Sequence, residues 1–232
     1  MSDPHLICAL DLPTADEARA LTERLGDAVS FYKVGLQLFA TDGMTLARQL
    51  KGAGKQVFLD WKLHDIGATV EKAAAALAGS GCDLLTVHAR PQVMAAARKG
   101  VEGSGLKILG VTVLTSLTDA DLTADDHSLS AADLVALRVR QALDAGIDGV
   151  VSSPHEAAQV RALAEAAGRP DFLIVTPGVR PAGAALDDQA RAATPASALT
   201  AGATHLVVGR PIAAAPDPRA AAEAIVQEMT VA

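Results

Sequence analysis

Aromatic residues make up only 3% of this chain, with one Trp, one Tyr and four Phe among 232 residues. A core built on large rings is excluded. The 50% of hydrophobic residues must pack through Ala, Val and Leu, which suit close helix-on-sheet contact. Cysteine is nearly absent. Cys8 and Cys82 form no Cys-x-x-Cys pair, and each lies in a strand-like run. Both read as small buried thiols rather than as a disulfide or metal ligands. No apolar run reaches the ~18 residues of a membrane span. Met1-Ser2-Asp3-Pro4-His5 lacks the basic region and apolar stretch of a secretory signal, so a cytoplasmic protein with no membrane partner is expected. Positive charge is not in excess either. The formal charge of −7 argues against nucleic acid as the main partner, but a locally basic pocket can still take a small anion. No Gly-x-Gly-x-x-Gly follows the first strand-like run, which counts against a dinucleotide fold. No linker and no low-complexity tail divides the chain, so one domain over 1–232 is expected.

What is present is alternation. Strand-like runs fall at 6–11, 31–35, 57–63, 84–88, 106–114, 149–152, 172–175 and 205–208, with Ala-rich helical segments between them. Thr14 is placed to cap the first helix, with Glu17 three residues on. The second helical pattern runs to about Gly52 and the third from about Thr69 to Leu77. Gly81, Gly105, Gly146, Gly168 and Gly202 stand where helix ends call for left-handed residues. Strands alternating with helices imply βαβ units and a parallel α/β sheet, and eight units in this length fit a single (β/α)8 barrel. A doubly wound sheet would alternate too, so closure is not fixed by period alone. Two connections are long, 115–130 and 178–195, and both leave the strand ends where barrels place their sites.

The central stretch is Val57-Phe58-Leu59-Asp60-Trp61-Lys62-Leu63-His64-Asp65-Ile66. Alternation puts Phe58, Asp60 and Lys62 on one face and Val57, Leu59 and Trp61 on the other. An acid and an ammonium at the end of an apolar strand are either an ion pair or a pair put to use. Charged or polar groups recur at the other strand ends: Asp11, Lys33, His88, Thr115 and Arg210. Lys33, Asp60, Lys62 and Asp65 together balance in charge, so all four can stay ionised in a partly dry site. Magnesium on Asp11, Asp60 and Asp65 is the competing reading, against which two nearby lysines would repel the ion. Gln189 and Gly209-Arg210 stand on the loops after strands seven and eight, where barrels often bind phosphate. Arg180 is similarly placed, and His88 has no assigned role.

Asp60-x-Lys62-x-x-Asp65-Ile66, taken with Leu10-Asp11, Lys33-Val34-Gly35, Val113-Leu114-Thr115-Ser116, Thr176-Pro177-Gly178-Val179-Arg180-Pro181, Asp188-Gln189 and Val208-Gly209-Arg210-Pro211, resembles bacterial orotidine 5′-phosphate decarboxylase over nearly the whole chain. The resemblance implies a TIM barrel, a homodimer with shared active sites, no cofactor and no metal. It implies conversion of orotidine 5′-phosphate to UMP and CO2, the last step of de novo UMP synthesis. Residue by residue, it implies Lys62 as proton donor to pyrimidine C6, with Asp60 beside the departing carboxylate. Asp65 would reach into the partner subunit's site, with Ile66 and Thr69 nearby. Asp11 and Lys33 would meet the ribose and the charge network, and Thr115 the base. Gln189 and Arg210 would hold the phosphate, with Arg180 and the backbone of Gly209 close by. A metal-dependent relative in the same superfamily, a 3-keto-gulonate-6-phosphate decarboxylase or hexulose-phosphate synthase, shares the central motif and is the alternative. Two positions depart from the family pattern. Gly67-Ala68 stands where Pro-Asn is common, which removes a proline's fixed φ from the turn, and Trp61 stands where Leu is usual.

Overall fold

The computed structural model describes residues 2–181 and 193–230. The elements follow in order as β1 Leu6–Ala9, α1 Ala15–Leu25, β2 Phe31–Gly35, α2 Leu36–Phe39, α3 Gly43–Gly52, β3 Gln56–Leu63, α4 Gly67–Ala78, β4 Leu84–His88, α5 Pro91–Gly100 and β5 Lys107–Val111. They continue as α6 Asp119–Ala124, α7 Ala131–Asp144, β6 Gly149–Val151, α8 Ala157–Ala166, β7 Leu173–Pro177, α9 Pro195–Thr200, β8 His205–Val208, α10 Arg210–Ala213 and α11 Pro218–Met229. The eight strands pair in parallel in sequence order, and β8 closes on β1 through Leu6↔Leu206 and Cys8↔Val208. The fold is a (β/α)8 barrel, and closure rules out the doubly wound sheet.

Alternation along each strand divides the apolar residues into two cores. Ile7, Ala9, Phe31, Phe58, Leu109 and Val207 turn inward and fill the barrel. Leu6, Cys8, Tyr32, Val57 and Leu59 turn outward beneath the helices. Two of the four Phe thus fill the interior, where β2 and β3 lie in register as Phe31↔Gln56 and Lys33↔Phe58. Above that layer the inward positions become polar, at Lys33 and Asp60. A scarce supply of large rings is spent below the site, and its mouth is left to charge. Fully burying each such ring or Leu contributes about 1.5–3 kcal/mol.

Local signals behave as their chemistry requires. The Thr14 hydroxyl accepts from the Glu17 N–H at 3.2 Å and caps α1. Gly81, Gly146, Gly168 and Gly202 have φ between 66° and 103°, the left-handed region expected at helix exits. Gly105 does not; Gly103, with φ 75°, turns the chain before β5 instead. Both thiols are free and buried, although Cys82 precedes β4 rather than lying in it.

Several expected boundaries shift: the first strand ends at Ala9 rather than at residue 11, the sixth at Val151 rather than at 152, and the seventh spans Leu173–Pro177 rather than 172–175. The fifth strand ends at Val111 rather than at residue 114, because Leu114 turns back to accept from the Leu117 N–H. The connection 115–130 is not irregular throughout, since α6 forms within it. Thr118 and Asp121 close a reciprocal capping box there, which holds a helix only six residues long. The third expected helix begins at Gly67, two residues early, and Gly67 takes its first position. Proline is favoured at that position, and here glycine fills it.

Candidate active site

The inward positions at the strand ends converge on a cavity of about 450 Å³ at the barrel mouth. Asp11, Lys33, Asp60, Lys62, Thr115, Arg180, Gly209 and Arg210 all line it. The structure therefore gathers eight of the expected site residues from β2, β3 and the segments that follow β1, β5, β7 and β8.

Four of them form a line of alternating charge. Lys33 Nζ lies 2.8 Å from Asp11 Oδ1 and 3.4 Å from Asp60 Oδ2. Lys62 Nζ lies 2.9 Å from Asp60 Oδ1. Asp60 is thus held between two ammonium groups. Burial pushes its carboxyl upward, but the charges of Lys33 and then Lys62 outweigh this and keep its pKa below the usual carboxylate range. Burial pulls Lys33 downward, and Asp60 and Asp11 outweigh it, so Lys33 stays above its ordinary value. The two shifts agree: the inner pair is ionised despite side-chain exposures of only 9% and 13%. Gly35 makes the arrangement possible. A Cβ there would sit 2.6 Å from Asp11 Oδ1 and 3.0 Å from Lys33 Nζ, so any side chain would collide with the ion pair.

Lys62 reaches this line by an irregular backbone. Leu59↔Leu85 and Leu63↔Val87 are paired, so four steps along β3 lie against two along β4. The extra residues form a bulge, a device that redirects side chains near sites. Lys62 adopts φ 49° within it. That left-handed conformation costs an L-residue about 1–2 kcal/mol and persists only where the surroundings enforce it. The Lys62 N–H donates to Thr86 Oγ1 at 3.0 Å, and the same hydroxyl lies 3.0 Å from Asp60 Oδ1. Sequence reading missed Thr86. The one signal was alternation, which puts Leu84, Thr86 and His88 on the inward face of β4 but does not single Thr86 out.

Arg180 and Arg210 stand after β7 and at the start of α10. Among the described lining residues there are four basic and two acidic side chains, a local excess of positive charge in a chain of net −7. Such a pocket attracts a polyanion from solution. His88 does not join the charge line. It borders a neighbouring cavity of about 190 Å³ with Arg90 and Arg138, its ring 5.1 Å from that of His64. Burial, then the nearby His64, lowers its pKa.

Asp65, Ile66 and Thr69 lie outside the cavity of their own chain. All three are exposed, Ile66 to 73%, and Asp65 Oδ1 accepts from the Ile66 N–H at 2.6 Å. Asp11, Asp60 and Asp65 are therefore not brought together as a magnesium site. The first two carboxylates face lysines, and among the described residues no group of three or more His, Cys, Asp or Glu side chains is placed to hold a metal. Gln189 lies outside the described residues. Among those described, no helix is long and apolar enough to cross a membrane.

Comparison with known proteins agrees with this geometry. The profile of the "Orotidine 5'-phosphate decarboxylase / HUMPS family" matches residues 4–225. Orotidine 5′-phosphate decarboxylase of Caulobacter vibrioides is 69% identical over 228 residues, covering 98% of this chain and 98% of that protein. The enzyme of the same name from Cereibacter sphaeroides is 57% identical over 233 residues, covering 99% and 98%. The crystal structure of orotidine 5′-phosphate decarboxylase from Lactobacillus acidophilus superposes with a TM-score of 0.83 at 38% identity, covering 98% of this chain and 99% of that one. With a closed barrel, an Asp11–Lys33–Asp60–Lys62 charge line and relatives matched from end to end, the chain belongs to the orotidine 5′-phosphate decarboxylase / HUMPS family.

Proposed function

We propose that this chain decarboxylates orotidine 5′-phosphate to UMP and CO2, without a cofactor, as a single catalytic domain in the cytoplasm. The observation that carries the reading is the Lys33–Asp60–Lys62 array, with its Lys33–Asp60 pair buried, in a pocket also lined by two arginines.

The chemistry follows from where charge appears. Breaking the bond between C6 and the carboxylate leaves an electron pair in an in-plane orbital, out of conjugation with the pyrimidine. Ring delocalisation cannot spread it, so fixed cations must meet it. Lys62 Nζ supplies the nearest positive charge and then gives its proton to C6, forming UMP. The neutral amine regains a proton from solvent after release. Asp60, pressed against the substrate carboxylate, repels it in the ground state and loses that repulsion as neutral CO2 departs. Lys33 keeps Asp60 ionised throughout, and Asp11 holds Lys33 while facing the ribose. Thr115 meets the base. Gln189 and Arg210, with Arg180 and the backbone of Gly209 close by, take the phosphate, whose charge suits a guanidinium fork.

Asp65, Ile66 and Thr69 serve the neighbour's site in a two-fold dimer. Their exposure supports this, as do the half-exposed Leu36 and Phe39, apolar residues that gain by being covered. Phe39 packs against Trp61 with the ring centroids 4.5 Å apart and the planes tilted by 47°, which roots the apolar patch in β3 beside the motif.

Absorbance of orotidine 5′-phosphate should fall with purified protein and no added metal, and EDTA should leave the rate unchanged. The metal-dependent sugar-phosphate chemistry of the wider superfamily would lose activity under EDTA, so that loss would favour the alternative. For Arg210→Ala, kcat/KM on the phosphorylated substrate should fall by about a hundredfold or more, whereas turnover of orotidine lacking phosphate should hardly change. Equal losses on both substrates would make Arg210 a structural residue.

A further inference from the structure

We infer that Thr86 is a positioning residue for the decarboxylation, its single hydroxyl fixing both the bulged backbone of Lys62 and the carboxylate of Asp60. The inference rests on the decarboxylase reading and goes beyond it to a residue outside the family's charged motif.

Thr86 is fully buried on the inward face of β4. Its Oγ1 accepts from the Lys62 N–H at 3.0 Å. A hydroxyl has one proton to give, and two acceptors lie near: Asp60 Oδ1 at 3.0 Å and the Leu59 carbonyl at 3.5 Å. The closer and charged one takes it, because a hydrogen bond to a carboxylate is the stronger. Thr86 therefore donates to Asp60 and accepts from Lys62 at once. The register shift explains the need. Between Leu59 and Leu63 the β3 backbone loses its ladder to β4, and the Lys62 N–H would be unsatisfied without this hydroxyl. The same contact enforces φ 49° at Lys62, which aims Nζ back over Asp60 Oδ1. Asp60 Oδ1 is thereby fixed from two sides, by Thr86 and by Lys62 Nζ, while Oδ2 faces Lys33. Displacing either group by a fraction of an ångström spoils the placement of the proton donor, the kind of error that costs about a hundredfold.

The test compares hydroxyl with no hydroxyl at constant shape. Thr86→Val should lower kcat about a hundredfold while KM changes less than about threefold, because Thr86 is fully buried and does not line the cavity. Thr86→Ser, which keeps the hydroxyl, should retain kcat within about tenfold of the parent. Thermal melts establish that each variant is folded. If Thr86→Val does not fold, Thr86→Ala against Thr86→Ser carries the same comparison, since both lack the methyl and only Ser keeps the oxygen. A folded hydroxyl-free variant with kcat within about threefold of the parent overturns the inference. So does an equal loss in the Ser and the hydroxyl-free variants, which would assign the effect to packing, or a loss confined to KM. The parent is assayed alongside. A parent without decarboxylase activity sinks the functional reading and this inference with it, whereas an active parent with an active Thr86→Val counts against Thr86 alone.

Discussion

Replacing Lys62 by alanine should lower kcat for orotidine 5′-phosphate by about five powers of ten and leave the barrel folded. Two separate contributions vanish together. A positioned proton donor accounts for about 10²–10⁴ in rate, and a fixed charge facing a developing anion for about 10²–10³. Lys33 cannot substitute, because its Nζ is held between Asp11 and Asp60 at the other carboxylate oxygen. The fold should tolerate the change. Asp60 keeps Lys33 at 3.4 Å and Thr86 at 3.0 Å, so no buried charge is left alone. The left-handed φ at position 62 is as strained for alanine as for lysine, so the backbone gains no new penalty. The measurement is single-turnover absorbance on protein whose melting curve matches the parent. A folded Lys62→Ala protein with turnover within about tenfold of the parent would end the proposed mechanism.

The placement of Lys62 shows how far strand period carries a sequence. Alternation puts Asp60 and Lys62 on one face, and the two side chains do meet. They meet through a bulge with a left-handed lysine rather than through a regular pleat. Nothing in Asp-Trp-Lys-Leu announces that backbone, because glycine, the usual mark of positive φ, is absent. Thr86 was hidden for a related reason. Threonine is at home in any strand, so its inward position carries meaning only once Lys62 N–H is seen to lack a ladder partner. The α6 turn was more accessible: Thr118 and Asp121 have capping-box spacing, but Asp is a less usual third member than Glu or Gln. The barrel order, the buried thiols and three members of the charge line were legible from period, composition or the cost of burying charge, but the balanced quartet expected with Asp65 closes on Asp11 instead. The outward placement of the exposed Asp65 was legible from its position beyond the strand end and from the family resemblance, not from alternation, which says nothing once a strand has ended.

That exposure sets up the second large effect. If Asp65 completes the neighbour's site, Asp65→Ala should be nearly as inactive as Lys62→Ala, although Asp65 does not line the cavity of its own chain. A two-fold contact is reciprocal, so each site takes Lys62 from one protomer and Asp65 from the other. Mixing the two inactive variants then tests the geometry. In a mixed dimer one site draws on both altered positions and the other on neither. Random reassortment makes about half the dimers mixed, each with one intact site, so activity should rise to about a quarter of the parent's. Reassortment is driven by dilution or mild denaturant and followed by pulldown of differently tagged chains. A rise of several powers of ten from two inactive stocks has no source within single barrels, because each chain lacks one of the two groups. Recovery to that level would establish both the dimer and the sharing of its sites. Mixed dimers that form and stay as inactive as their parents would mean that Asp65 acts within its own chain and that the sites are not shared.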